Sequence, residues 1–592
     1  MNVSQFQLPK KTGTYADALA AIGLGRLLYR LSGDHPTVRE DGSGYVAAWS
    51  GEEHDLDLLA YAAVHADPAY PYVLLKPPDA AAPNGGTIID YGKEREKLLA
   101  WRERRKEIDK ARGGRRTPED EETLKDIEPM KAWYLYQNLN VLQGFNSYNS
   151  LHHAIRASNP TDFATAVRRK LEALAEGRDL AGVATPFAPK VAAVQAFNPV
   201  VGKGINRPKP DGPALAGLPN AYVDWFEEWL RYIGINLTAN ALNVGDDIKF
   251  VVITPADLDE GLIGEIRDEF VSLRLAWSSA KIDVLGALGL VRVLITRSNL
   301  MSPVDDELFT RGRQPTPRDI IAGLQTAYFT SLGSAKALTN TSFIALPGWF
   351  PIELAGDWLS ILAEHENVLK PLDEEKSEQA ALLVAYRDFL SAGERGLDAL
   401  LAFLAGYAGY LMRARDRKQY APQFTTTNLR RLFMSMSTSN KLMKPILDDE
   451  GFKHVVAAIR RATVSEQFTK ARTGQQTYEI HYGLFQDLER KARFKDQFVA
   501  ALTAFITDYN TENARLAERA ARPDRAESAG TTGRRRPQVT TDDIDHIMTL
   551  IDEYTSEPVA MLLLAYGSAR EPREGAAPAD EPTAETSNDQ AE

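Results

Sequence analysis

Residues 197–213, FNPVVGKGINRPKPDGP, carry the cations Lys203, Arg207 and Lys209 together with Asn198 and Asn206, three glycines and four prolines. Prolines remove backbone donors and lock φ, and glycine resists ordering, so the segment is predicted as a loop and not as a helix or strand. Lys203 stands between Gly202 and Gly204. That places a cation beside bare amide donors where a phosphate backbone can approach closely. Asn198 and Asn206 offer the paired donor and acceptor that read a base edge. An interdomain linker accounts for the same composition.

Two further groups of residues suit the same chemistry. In WYLYQNLNVLQGFNSYNSLHH, Gln143 and Asn146 flank Gly144 and Phe145, amides that can read a groove beside a ring that can stack or wedge. A capped helix end beside an aromatic core explains that segment as well. Further on, Lys441, Arg460, Arg461, Lys470 and Arg472 form a basic set suited to tracking a single-stranded backbone. Other chemistries find little footing. The chain contains no phosphate-cradling GxxxxGK[ST], no GxSxG elbow, no HExxH and no cysteine. His54 and Asp55, with Asp57 nearby, are a lone acidic–histidine group without the distant partners a two-metal phosphohydrolase needs. His152 and His153 are adjacent and point apart on a helix, a poor metal pair.

The elements that must carry these residues fall into two kinds. Thr14 with Asp17 marks a helix start, and Tyr15, Leu19, Ile22 and Leu27 keep helical spacing. PTVRE, DGSG and YVAAWS read as a hairpin, so the glycine pattern at Gly42 and Gly44 is a turn and not a dinucleotide fingerprint. YPYVLL and GTIIDY are strands, and residues 91–128 are a charged helical insert broken at Gly113 and Gly114. Within that insert Arg102, Arg105, Lys106 and Arg116 either track phosphates or, with the interleaved Glu, make an exposed salt-bridged helix. A Trp-rich helix around Trp225 and Trp229 precedes a predicted βαβ unit: DIKFVVIT, a helix, then GLVRVLIT. From Asp373 onward the period is helical, with apolar stripes at Leu484, Leu488, Phe498, Leu502, Phe505, Ile506 and Tyr509 and at Ile544, Ile547, Met548, Ile551 and Tyr554. Thr540 with Asp543 caps one helix, Ser556 with Pro558 opens the last, and Gly567 is placed to close it. A loop bearing Arg534, Arg535 and Arg536 lies between. The predicted fold is α+β: a mixed α/β part over 1–370, an all-α helical bundle over 373–570 and a disordered acidic tail over 571–592.

The formal charge of -12 over 592 residues is unevenly spread. The tail holds seven Asp/Glu and one Arg, so half of the net charge sits there (1 - 7 = -6). Residues 93–116 count eleven basic against five acidic, and 411–472 thirteen against five. Basic islands on an acidic body are what a chain that holds nucleic acid at selected places requires. The lack of cysteine fits a reducing cytosol, and the N-terminal sequence shows no signal pattern, so a cytoplasmic protein is expected.

TYADALAAIGLGRLL near the start, FNPVVGKGINRPK in the middle, and IHYGLFQDLERKA, FITDYNTENARL and RPQVTTDDIDHIMTLIDEYTSEPVAMLLLAYGSARE at the end resemble the large subunit of a type I CRISPR surveillance complex (Cascade), nearest to the subtype I-B and Myxococcus-type large subunits. The resemblance implies an N-terminal domain touching the guide RNA 5′ end and the protospacer-adjacent motif, and a C-terminal bundle similar to the small subunit. It implies no catalytic site and no cofactor. Its partners would be the guide (crRNA) ribonucleoprotein, the backbone and 5′-handle-binding subunits, target duplex DNA with its displaced strand, and a helicase-nuclease. It also raises internal translation from Met434, Met436 or Met443 as a source of a separate small subunit. A divergent metal-dependent nuclease using His54, Asp55 and Asp57 and a purely structural helical scaffold are the alternatives.

Overall fold

The computed structural model describes residues 2–3, 5–49, 54–55, 58–76, 79, 82–113, 116–192, 194–199, 223–272, 278–297, 316–332, 335–347, 354–392, 396–520 and 536–571. Among them, no helix is long and apolar enough to cross a membrane.

The first helix, α1 (Tyr15–Ser32), starts where the sequence marks it. Thr14 Oγ1 accepts from the Ala16 amide, and the Asp17 carboxylate accepts from the amides of Lys11, Thr12 and Gly13 at 3.3, 3.0 and 2.8 Å. Around it lie β1 (Asn2–Val3), β2 (Gln5–Pro9), β3 (Thr37–Glu40), β4 (Gly44–Ala48) and β5 (His54–Asp55). The β3–β4 hairpin forms as expected, with Gly42 in the left-handed region at φ 88°. After α2 (Leu58–Ala66) the strands β6 (Tyr72–Leu74) and β7 (Ile88–Asp90) pair in parallel. The charged insert is a helical hairpin of α3 (Tyr91–Arg112) and α4 (Pro118–Asp126), closed at Gly113 in the left-handed conformation. Then come α5 (Trp133–Val141), α6 (Phe145–Ala157), α7 (Pro160–Ala175) and α8 (Trp225–Thr238), the last capped by Asp224 on the Phe226 amide.

α1 and α8 are both buried almost all round and cross in direct backbone contact. A Cβ on Gly23 would sit 1.9 Å from the Leu230 carbonyl oxygen, and one on Gly234 would sit 2.0 Å from that of Leu19. Each helix therefore accepts the other's main chain at a glycine. α1 also packs on strands of both four-stranded sheets.

The second sheet departs from the sequence expectation. β8 (Ala239–Val244), β9 (Asp247–Pro255), β11 (Ile321–Leu332) and β12 (Ala335–Ala345) are ordered β12-β11-β9-β8 and pair antiparallel throughout. The short β10 (Asp257–Asp259) joins the edge of β3 in the first sheet, giving β10-β3-β4-β2. GLVRVLIT is not a strand: it belongs to α10 (Ser279–Arg297), which follows α9 (Glu260–Ser272). Val291, Val293 and Ile295 alternate as a strand would. Ile282, Leu285, Leu288 and Val291 are buried as well, and a segment apolar on all faces is read by length, not period. With no parallel crossover available, the sheet is closed by the long β11–β12 hairpin, preceded by the single turn α11 (Pro317–Ile320).

Among the described residues helices then run without a strand from α12 (Ala355–Leu369), earlier than the predicted start at Asp373: α13 (Ser377–Ala392), α14 (Leu397–Asp416), α15 (Thr426–Ser435), α16 (Ser437–Asp448) and α17 (Glu450–Arg460). A π-helical turn, Arg461–Ser465, leads into α18 (Glu466–Thr473), and α19 (Leu484–Lys491), α20 (Lys495–Ala520), α21 (Thr541–Tyr554) and α22 (Ser556–Ser568) complete the bundle. The Leu484–Tyr509 stripe is buried, and the Thr540–Asp543 capping box forms. Gly567 does not end its helix; a Cβ there would lie 2.6 Å from Ile459 Cγ2, so it is a packing glycine.

One apolar core runs from Ile22 and Val251 through Tyr386 to Leu564, so the predicted 373–570 unit shares its interior with the sheet and α10. A second core gathers the N-terminal aromatics. A product starting at Met434, Met436 or Met443 would lack α14, on which α19 and α22 pack and whose Met412 carbonyl accepts from Gln467 Nε2 at 2.9 Å.

The glycine crossing gives a direct test. Gly234→Ala puts a methyl into an immovable carbonyl and should cost about 3 kcal/mol or more, beyond usual overpacking. Gly264→Ala in α9, where nothing lies within 4 Å, should be neutral or gain up to about 1 kcal/mol from helix propensity. Urea midpoints of the two variants check this, and similar midpoints would contradict the crossing.

Candidate nucleic-acid interface

The residues singled out in the sequence separate into internal and surface groups. Lys203, Asn206, Arg207 and Lys209 lie outside the described residues. Asn198 is fully buried, with its amide against the Glu228 carboxylate of α8, so it is a core residue and not a base reader. Burial pushes the Glu228 carboxyl up, and the buried Arg231 guanidinium, which it pairs with, opposes that shift.

The amide and aromatic segment is also largely internal. Phe145 is 1 % exposed, stacked on Tyr136 at 6.1 Å between centroids and edge-on to Tyr148. A ring so packed cannot wedge a base step, which corrects that expectation. Asn149 spans one residue of β6, accepting from the Val73 amide at 3.1 Å and donating to its carbonyl at 2.8 Å. Gln143, at φ 56°, and Asn146 are exposed beside this cluster. His152 is buried between Tyr70 and Tyr72, and burial pushes it down to about 4, whereas His153 faces outward.

In the bundle Arg460 is 9 % exposed and holds the C-terminal end of the described chain, donating to the Tyr566 carbonyl at 2.9 Å and pairing with Glu571. It is structural and unavailable to a strand. Arg461 is half-buried where the π turn begins. Lys441 lies on α16, and its side chain is not among those described. Arg536, expected on a basic loop, is buried instead: its guanidinium lies 3.4 Å from the Tyr478 ring centroid, pairs with Glu466 at 3.0 Å and donates to the Arg461 carbonyl at 2.8 Å. Arg534 and Arg535 lie outside the described residues.

Lys470 and Arg472 remain on the surface, in the last turn of α18. The preceding π turn rotates α18 out of the phase set by α17, and the carbonyls it frees are taken by Arg536 and by the His481 amide, the latter at 3.0 Å from Ala462. Gln467 fixes α18 to the end of α14 through the Met412 carbonyl, which leaves Phe468 outside at 50 % exposure with Arg472 5.9 Å over its ring. Tyr482, 38 % exposed, is held on the same end of α14 by Asp416; desolvation and that hydrogen bond both push its phenol up. Arg417 and Lys418 follow Asp416 directly and are exposed. Among the described residues none of Arg417, Lys418, Lys470 and Arg472 has an acidic partner within salt-bridge distance.

Phe468 with Arg472 one turn on, and Tyr482 held by Asp416 beside Arg417 and Lys418, are open rings next to open cations that can stack unpaired bases and neutralise adjacent phosphates. Lys470, two positions from both Phe468 and Arg472, faces the other side of α18. Sequence reasoning found Lys470 and Arg472 and missed Phe468 and Tyr482, because aromatic residues in helical surroundings read as core. The available signal was position: Phe468 lies off the apolar stripe, between Gln467 and Lys470. A groove of about 680 Å³ beside Tyr482, lined by His481, Asp487, Lys491, Phe505 and Asp508, carries both signs and does not suit a phosphate chain. Among the described residues no group of three or more His, Cys, Asp or Glu is placed to hold a metal. His54 and Asp55 form the short strand β5 against β1; Asp57 lies outside the described residues.

No family model matches the chain, and no curated protein matches it.

The patch makes separable predictions. Arg472→Ala should lower the salt slope of single-strand binding by about 0.7, the share of one lost phosphate contact, while Lys470→Ala, on the other side of α18, should leave it in place. Phe468→Ala with Tyr482→Ala should weaken binding by about 1–3 kcal/mol per lost stack while leaving the slope in place. Fluorescence anisotropy of a labelled oligonucleotide across a salt series measures slope and affinity; unchanged affinity in Arg472→Ala and in the ring variant would remove the patch from consideration.

Proposed function

We propose that the chain is a non-catalytic large subunit of an RNA-guided type I CRISPR effector complex. In this reading it recognises the protospacer-adjacent motif in duplex DNA, stabilises the R-loop and its displaced strand, and recruits the helicase-nuclease. The observation that carries the proposal is two exposed rings each beside exposed cations, Phe468 under Arg472 and Tyr482 beside Arg417 and Lys418, on a chain of net acidic charge. Such a surface suits a sequence-tolerant hold on unpaired nucleic acid, the task a displaced strand presents. The sequence resemblance supplies the rest of the reading. Base pairing by the guide then sets specificity, and the protein needs only to read shape and a short motif.

Purification of the tagged chain from cells carrying the neighbouring genes and a guide array is the test. Co-purification of a discrete guide RNA with partner subunits is the predicted result. Recovery without RNA, together with divalent-metal-dependent DNA cleavage that disappears in His54→Ala, would replace this function with that of a nuclease. A chain that binds no nucleic acid at any salt concentration would be a scaffold.

A further inference from the structure

The α3–α4 hairpin is an arm whose own ion pairs fix its shape. Glu94 accepts from the Met130 amide at 2.7 Å at its base, where Tyr91 packs on Trp133 at 4.9 Å. At its tip Arg116 makes a two-point contact to Asp109 at 2.8 and 2.9 Å, and Thr117 with Asp120 forms a capping box. Lys97 pairs with Glu94, Arg104 with Glu107, Arg105 with Asp109 and Arg112 with Asp120. Leu98, Ile108 and Leu124 are the buried residues of the two helices.

On α3 four cations are left over from this internal pairing, and Lys125 on α4 is a fifth. Arg95, Arg102, Lys106 and Lys110 are exposed and have no salt-bridge partner among the described residues. They are seven, four and four positions apart, which at 3.6 residues per turn keeps them on one face, within about 80° of one another. At 1.5 Å per residue the row runs about 22 Å along the helix, with its last three members about 6 Å apart. Glu96, Glu103 and Glu107 border it on one side and the buried face on the other, so the row is one phosphate strand wide.

The row lacks what the bundle patch has. Its non-cationic exposed member is Leu99, and Arg105 lies over the Trp101 ring at 5.3 Å, so no open aromatic face is available to stack a base. A rigid line of cations without stacking faces matches a backbone whose bases are already paired. We infer that α3 is a duplex-holding arm that grips one phosphate strand of double-stranded DNA through Arg95, Arg102, Lys106 and Lys110, without reading its sequence. The inference rests on the nucleic-acid reading above for the choice of DNA. It assigns the paired and unpaired parts of the target to different surfaces of the chain.

The test uses the full chain with all four residues changed to Gln. A charge-matched control changes Arg168, Arg178, Lys370 and Lys376 to Gln, four exposed cations already in ion pairs. Circular dichroism confirms the fold of each. Binding of a random-sequence duplex and of an oligothymidine single strand is followed by anisotropy across a salt series. The arm variant should lose about 3.6 units of duplex salt slope, roughly 0.9 per contact, retain single-strand binding, and lose equally on unrelated duplex sequences. The control should keep its duplex slope. Duplex binding that is unchanged in the arm variant, or reduced equally in the control, overturns the arm while leaving the wider reading in place. A wild-type chain that binds neither probe overturns both. Tighter wild-type binding to duplex RNA than to duplex DNA overturns the assignment to DNA.

Discussion

The backbone contact between α1 and α8 is the constraint from which the rest of the described structure follows. Two helices about 200 residues apart meet where Gly23 faces Leu230 and Gly234 faces Leu19, closer than any side chain allows. That approach brings Arg231 to the Ala16 carbonyl, 3.4 Å away, and places Glu227 within 2.6 Å of Lys11, so charges that would be prohibitive alone are buried in mutual contact. Buried ion pairs add little net stability, but removing one partner strands the other, and this sharply disfavours any other registration of the two helices. Asn198, at the entrance to the Gly/Pro-rich stretch, is fixed by the same cluster. The first described residues on either side of that stretch are thus tied to the centre of the molecule.

A second buried group couples the sheet to the bundle. Asp283 of α10 receives Lys249 from β9 at 2.5 Å and Arg387 from α13 at 3.1 Å. Desolvation alone pushes the Asp283 carboxyl up and the Lys249 amine down, and each partner's charge counters the other's shift. With the apolar core continuous across the same junction, the α/β part and the bundle are one packed body. The arm of α3 and α4 stands apart from this arrangement. It has few buried residues and a surface settled by its own charges, and an element so lightly engaged in the core is free to carry a binding face.

Local chemistry was legible wherever it was decided locally. Thr14 and Thr540 announce helix starts, DGSG announces a hairpin, and the Leu484–Tyr509 stripe announces a buried face, because caps, turns and periodicity act over a few residues. What depended on distant partners was not legible. GLVRVLIT alternates like a strand and became helical once burial on every side removed the meaning of alternation. Phe145, Asn198, Arg460 and Arg536 have the side chains of binding residues, and all four are consumed by contacts 30 or more residues away, apart from the rings Phe145 shares with its own segment. Lys470 and Arg472 were legible because a helix end without acids is already a surface. Arg95 and Lys110 were not, since only the structure shows which cations of a mixed helix are left without partners.

The account divides nucleic-acid contact between a face with open rings and a face without them. Photochemical cross-linking followed by peptide mapping examines this directly, because zero-length cross-links to unpaired bases form where rings stack. With a partly single-stranded DNA bound to the full chain, the account predicts base cross-links at Phe468 and Tyr482 and none on the 91–112 peptide. Base cross-links concentrated on α3, or absent from both Phe468 and Tyr482 while binding persists, would contradict it.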